Sequence, residues 1–282
     1  MPDRPRPGPV VDIPAVDIPA FDIPAFDIIE PDWPAPAHIR AISTTRNGGV
    51  SVGRWRSLNL GMRSGDDPRL VSKNHEILQA HLPSQPHWIK QVHGVGVADI
   101  DRDATVGPEA DAAISERPGH VCAVLTADCL PVLFCDEAGT KVAAAHAGWR
   151  GLAAGVLQAT VSAMNCEPEK LMAWLGPAIG PQAFEVGHEV YQAYMDADTR
   201  NAPAFRPHKD RWLADLYLLA RLALARVGVE QVYGGEFCTH TLKEKFFSYR
   251  RDGETGRMAS LIWIADKQAN GMPATITTNS AR

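Results

Sequence analysis

Positive charge is in short supply along these 282 residues: 28 Lys and Arg stand against 33 Asp and Glu, for a net charge of -5. The overall composition therefore carries no basic footprint for nucleic acid. Five cysteines, irregularly spaced, are too few for a disulfide scaffold. No uncharged apolar run reaches the length of a membrane-spanning helix, so a membrane partner is not expected. Arg4 and Arg6 make a basic start, but Asp and Pro recur through the first thirty positions and break the apolar stretch that a secretory signal needs. Together these absences fit a reducing cytoplasm. What the chain does have is core material, with 45% hydrophobic and 22% charged residues.

The opening is repetitive. Val11-Asp-Ile-Pro-Ala15 recurs at 16–20, as Phe21-Asp-Ile-Pro-Ala25, and in part at Phe26-Asp-Ile28. A five-residue period matches neither helix nor strand, and its prolines block both. Residues 1–30 read as an extended or poorly ordered arm, and 31–282 as one catalytic domain without an internal repeat or linker.

Within that body, strands are expected at 39–45, 88–92, 121–125, 130–135, 141–145, 171–175, 232–234 and 260–264. Helices are expected at 72–82, 151–164, 185–193 and 210–227. This mixture argues for α/β or α+β layers around a mixed sheet, with at least one hairpin, rather than a pure βαβ array.

The hairpin carries the chemistry. Asp136 to Gly139 has turn composition between two strand-like runs. If Cys135 faces Thr140, antiparallel register sets Cys129 opposite His146 on one face, with Cβ atoms about 4.5–5.5 Å apart. A thiolate and an imidazole so placed reach one Zn²⁺, or form a Cys–His nucleophilic pair. A one-residue slip would separate them. Pro131 must lie at an edge or a non-hydrogen-bonded position. His93, between a predicted strand and Gly94, is the leading third ligand. Three protein ligands with an open fourth position is the usual layout of catalytic zinc.

At these residues the chain resembles a known family. Gln91-Val-His-Gly94, Thr126-Ala-Asp-Cys-Leu-Pro-Val132 and Ala145-His-Ala-Gly-Trp-Arg-Gly151 are similar to the signature blocks of purine nucleoside phosphorylases of the YfiH/YlmD type, formerly known as multicopper polyphenol oxidases or laccase-domain proteins. Thr44-Thr-Arg-Asn-Gly-Gly-Val-Ser51, Gly176-Pro-Ala-Ile-Gly-Pro181 and Phe246-Phe-Ser-Tyr-Arg-Arg-Asp-Gly253 support the match, which runs from about Ile39 to Lys267. The resemblance implies a single-domain layered sandwich with a metal-bearing hairpin and zinc on His93, Cys129 and His146. It also implies phosphorolysis of adenosine and inosine to free base and ribose 1-phosphate. Guanosine and 5'-methylthioadenosine phosphorolysis and adenosine deamination are related activities of the family. Purine nucleosides and inorganic phosphate are the implied partners, with a monomer or homodimer as the assembly.

Phosphorolysis needs an anion clamp. Arg46, beside Asn47-Gly48-Gly49, and Arg150, at the expected start of a helix, are the phosphate candidates, because a guanidinium fork matches phosphate geometry. Asp128 either carries a proton or makes structural hydrogen bonds. Cys122 and Cys135 read as small buried groups. Trp149 and Phe246-Phe247 suit either purine stacking or core packing. The rivals are a metal-free hydrolase with Cys129 as nucleophile and His146 as base, a copper-dependent polyphenol oxidase, and a metal-stabilised interaction protein. Ten dispersed histidines with no His-x-His pair disfavour a multicopper centre, although this ligand set would not reject a single Cu²⁺.

Overall fold

A computed structural model describes residues 26–103 and 105–266. Three sheets are formed within them. The first has the order β1 (Ile28–Ile29), β2 (Ile39–Thr44), β14 (Met258–Ile264), β6 (Val121–Thr126) and β3 (Pro86–Trp88). The second has the order β13 (Gln231–Gly234), β9 (Leu171–Leu175), β7 (Leu130–Asp136), β8 (Val142–Ala147), β5 (Ala112–Ser115) and β4 (Val97–Asp99). The third is small: β10 (Glu185–Val186), β12 (Arg211–Ala214) and β11 (Phe205–His208).

Period-two alternation explains how the two large sheets stack. Strand β7 is buried along its whole length, and its side chains divide by parity. Leu133 and Cys135 join Cys122, Val124 and Ile262 of the first sheet in a shared apolar layer. Leu130, Val132 and Phe134 face the other way, onto α2 (Trp149–Ala154), α3 (Val156–Met164), α4 (His188–Ala197) and α5 (Leu216–Arg226). The outer face of the first sheet packs on Leu78 of α1 (Pro68–Gln79). The result is a mixed α+β single domain. No described helix is long and apolar enough to cross a membrane.

Local chemistry moves several element boundaries from their expected places. Asp67 caps α1 by accepting from Arg69 N–H, and Pro68 sits in its first turn, so the helix starts before Ser72. The single helix expected over 151–164 is two helices, because Gly155 takes a left-handed conformation with φ 99°. The helix expected from 210 begins only at Leu216, where Asp215 accepts from Leu218 N–H; Arg211–Ala214 pair on both sides as a strand instead. Likewise 185–186 form a strand, and Gly187 precedes α4. The strand expected over 88–92 ends at Trp88. Beyond it the Gln91 amide pairs with both Leu125 N–H and Leu125 C=O at 2.8 Å, imitating a ladder rung while the backbone turns away.

The hairpin register differs from the expected one by two residues: Cys135 pairs with Val142, and Pro131, not Cys129, lies opposite His146. Asp136 is the cause. Its carboxylate accepts from Thr140 N–H and Lys141 N–H, and from the Thr140 hydroxyl, so Thr140 is consumed by the turn. A two-residue shift preserves parity, and residues 129 and 146 keep a common face. Pro131 needs no N–H there, since His146 N–H bonds Asp111 C=O on the opposite flank.

Residues 1–25 of the pentapeptide arm lie outside the described residues. Its last part-unit is described. Ile28–Ile29 pair with Ser43–Thr44, and Phe26 stacks on His81 with ring centroids 4.2 Å apart.

Candidate metal centre and cavity

Two strand ends and a turn converge where the two large sheets meet. His146 is near the end of β8, Cys129 immediately precedes β7, and His93 lies in the turn beyond Gln91. The ligand atoms of His93, Cys129 and His146 all lie within 4.8 Å of one another, the only such group among the described residues. Cys129 Sγ is 3.8 Å from His93 Nε2, and the two imidazole rings meet edge to face at 4.7 Å. Ligands sharing a tetrahedral zinc sit about 3.5 Å apart, given Zn–S and Zn–N bonds of about 2.3 and 2.0 Å. One sulfur and two ring nitrogens at this spacing fit a divalent ion. The residues around them leave room for one: Gly148 has no side chain where a Cβ would stand 2.9 Å from His93 Cδ2 and 3.1 Å from Cys129 Sγ.

Asp111, unremarked in the sequence, holds this arrangement together. It is fully buried, and its carboxylate accepts from His146 Nδ1 at 2.8 Å. It also accepts three backbone N–H groups, from Val92 (3.2 Å), His93 (2.9 Å) and Gly94 (2.6 Å). One carboxylate thus fixes the tautomer of His146, leaving Nε2 free, and clamps the turn that presents His93 in a left-handed conformation with φ 60°. Burial raises the Asp111 pKa, but the hydrogen bonds from His146 and the backbone outweigh it, and the carboxyl is held below its ordinary range. Its signal in the sequence is a lone acid in the apolar run Ala110-Asp-Ala-Ala113.

The same packing polarises Cys129 and His146. Burial opposes ionisation of the Cys129 thiol, yet the neighbouring imidazoles of His146 and His93 overcome it and lower the thiol pKa. For His146 burial again works against the charged form, and the Cys129 sulfur with the Asp111 carboxylate reverses that and raises the imidazole pKa.

The group forms part of the wall of a cavity of about 780 Å³. Asp128 also lines this cavity, with its carboxylate engaged: Oδ1 accepts from the Thr239 hydroxyl and Oδ2 from Arg250 N–H, each at 2.6 Å. Arg150 lines the cavity and stacks on Trp149, its Cζ 4.3 Å from the ring centroid. The helix that carries it has only six residues, so a strong helix-terminal field is not available to it. Arg46 does not line the cavity. Its guanidinium packs over Phe247 and donates to Arg56 C=O and Lys243 C=O at 2.9 Å. Phe246 and Phe247 are fully buried core residues, as are Cys122 and Cys135.

Residues 40–265 match the family described as multi-copper polyphenol oxidoreductase laccase. The chain is 57% identical over 239 residues to the purine nucleoside phosphorylase YfiH of Escherichia coli, covering 84% of this chain and 98% of that one. It is 52% identical over 240 residues to the purine nucleoside phosphorylase PA4543 of Pseudomonas aeruginosa, with the same coverage. Among solved structures, Neisseria meningitidis NMB0706 superposes with a TM-score of 0.82 at 52% identity, over 85% of this chain and 99% of that one. YlmD of Geobacillus stearothermophilus gives 0.76 at 30% identity, over 86% and 100%. A single three-ligand group among the described residues is a poor match to the multi-copper description. The signature blocks, the shared fold and the extent of identity make the chain a member of the YfiH/YlmD-type purine nucleoside phosphorylase family.

Proposed function

We propose that the chain is a zinc-dependent purine nucleoside phosphorylase that cleaves adenosine and inosine, and also guanosine and 5'-methylthioadenosine, to free base and a ribose 1-phosphate sugar. Adenosine deamination at the same site is part of the reading. The observation that carries it is the opening of the His93–Cys129–His146 group onto a cavity with room for a nucleoside and phosphate together. The names of the Escherichia coli and Pseudomonas aeruginosa relatives support it.

In phosphorolysis a phosphate oxygen bonds the anomeric carbon as the glycosidic bond breaks, and the base leaves with that electron pair and takes up a proton. The chain's residues then have separable tasks. His93, Cys129 and His146 would hold zinc, which when bound supplies Lewis acidity at the cavity wall. Asp111 keeps two of those ligands aimed. Arg150, steadied by stacking on Trp149, offers a guanidinium to phosphate. Asp128 ties the 127–129 turn to the segment bearing Thr239 and Arg250.

The Cys–His hydrolase is the one rival that a specific feature favours, since the Cys129 thiol is acidified beside His146. It leaves the second imidazole, 3.8 Å from the same sulfur, without a task. Metal quantification together with a phosphate-dependent cleavage assay separates the two. Wild type should hold about one zinc per chain and split nucleosides only when phosphate is added, and Cys129→Ala should lose both properties. Full turnover in excess chelator would overturn the zinc reading. Ammonia released from adenosine without phosphate tests deamination.

A further inference from the structure

Five arginines line the cavity, and four are occupied or exposed. Arg211 faces Glu185 at 3.6 Å, Arg250 donates to Glu185 C=O, Arg150 stacks on Trp149, and Arg63 is solvent-exposed on the loop after Gly61. Arg257 differs from them. It is partly buried, and among the described residues no carboxylate approaches its guanidinium within ion-pair distance. Its hydrogen bonds to Thr255 C=O and Gly256 C=O both leave from Nη1, and no acceptor among the described residues takes Nε or Nη2.

The backbone around Arg257 is fixed. Its N–H bonds Asn59 Oδ1 at 2.9 Å, and its carbonyl accepts from Leu60 N–H at 3.1 Å. Met258 pairs with Thr126, so Arg257 continues β14 alongside the turn that leads to Asp128 and Cys129. Its stem packs against Gly61, where an added Cβ would stand 2.6 Å from Arg257 Cγ. Arg63 stands two residues beyond that contact, on the same cavity wall. Two of the acidic groups lining the cavity have partners of their own: Asp128 is held by Thr239 and Arg250, and Glu185 by Arg211 and His208.

A partly buried guanidinium with one edge uncommitted and no carboxylate within ion-pair distance is an oxyanion receptor. We infer that Arg257, with Arg63 on the neighbouring loop, forms the less exposed part of the phosphate subsite to which Arg150 also contributes, in the role that Arg46 was expected to fill. The inference rests on the phosphorolysis reading for its catalytic meaning, but the subsite itself is a binding site for inorganic phosphate.

Equilibrium dialysis of inorganic phosphate against the zinc-loaded chain tests it, with wild type, Arg257→Gln, Arg257→Lys and Arg63→Gln. Loss of charge-assisted bonds should weaken phosphate binding about ten- to a hundredfold in Arg257→Gln. Arg257→Lys should fall between that variant and wild type. Arg63→Gln, on an exposed loop that tolerates change, should weaken binding about two- to fivefold. In the cleavage assay KM for phosphate should rise by matching factors, with KM for nucleoside and zinc content unchanged. Wild-type phosphate binding in both glutamine variants would overturn the subsite, as would an equal rise in both KM values. If Arg257→Gln fails to fold, unchanged binding in Arg63→Gln overturns it. Wild type that binds phosphate yet splits no nucleoside removes the phosphorolysis reading alone; phosphate-dependent cleavage untouched by either glutamine variant removes the subsite alone.

Discussion

Asp111 has a demanding set of contacts for one side chain. Its two oxygens accept one imidazole and three backbone N–H groups, with no exposure to water. Asp111→Asn keeps the shape but replaces one acceptor oxygen with an amide that faces donors. The variant should lose about 1–3 kcal/mol of stability from the unmatched donors. Its metal affinity should fall about ten- to a hundredfold, as is usual when the partner of a ligating histidine is changed. Chemical denaturation and competitive zinc titration measure the two effects, and wild-type zinc affinity would show that His146 needs no such partner. At this scale the sequence is only partly legible. His93, Cys129 and His146 declare themselves by residue type and motif. Asp111 acts through neighbours more than fifteen residues away in the chain, and the backbone of Arg257 is held by distant Asn59, so nothing local marks these partners.

The hairpin and the short helix after it act as one element. Gly148 precedes α2 with φ -61°, a conformation open to any residue, so its lack of a side chain matters only for the space it leaves. Gly151, a turn later, lies against the 93–94 turn, where an added Cβ would stand 2.8 Å from Gly94 C=O. The motif Ala145-His-Ala-Gly-Trp-Arg-Gly151 is therefore a candidate ligand followed by two clearances. Gly148→Ala should fold with a Tm close to wild type, since alanine suits this backbone, while displacing His93 or Cys129 and weakening zinc binding. Thermal melts of the metal-free protein and a zinc titration distinguish these effects; unchanged zinc affinity would mean that the clearance is not needed. Strands β6, β7, β9 and β14 are legible in sequence because each is a run of apolar residues buried on both faces. The misplaced helices at 185–193 and 210–227 are errors of tertiary override. Their apolar periodicity is real, but β12 finds ladder partners on both sides, the neighbouring β11 and the more distant β10, and Asp215 supplies the true helix start.

For the whole molecule, the site sits where separate layers meet, and a metal bound there would be coupled to stability. His146 lies in the six-stranded sheet and Cys129 immediately precedes its strand β7, whereas Gln91 fastens the His93 turn to β6 of the five-stranded sheet. An ion held by all three side chains would therefore add a link between two sheets that already share an apolar layer and the Asp111 hydrogen bonds to the 92–94 turn. An ion that binds only the folded chain stabilises it by mass action, by about 2.7 kcal/mol at a free concentration one hundred times Kd. For a domain of this size that corresponds to a Tm rise of about 5–10 °C. Calorimetry with and without chelator should give that difference for wild type, and little or none for Cys129→Ala, whose metal-free Tm serves as the baseline. The rise should also fade as free zinc is buffered down toward Kd, which separates site binding from a bulk salt effect. A chelator-insensitive Tm in a chain shown to carry zinc would place the ion away from the junction between the sheets.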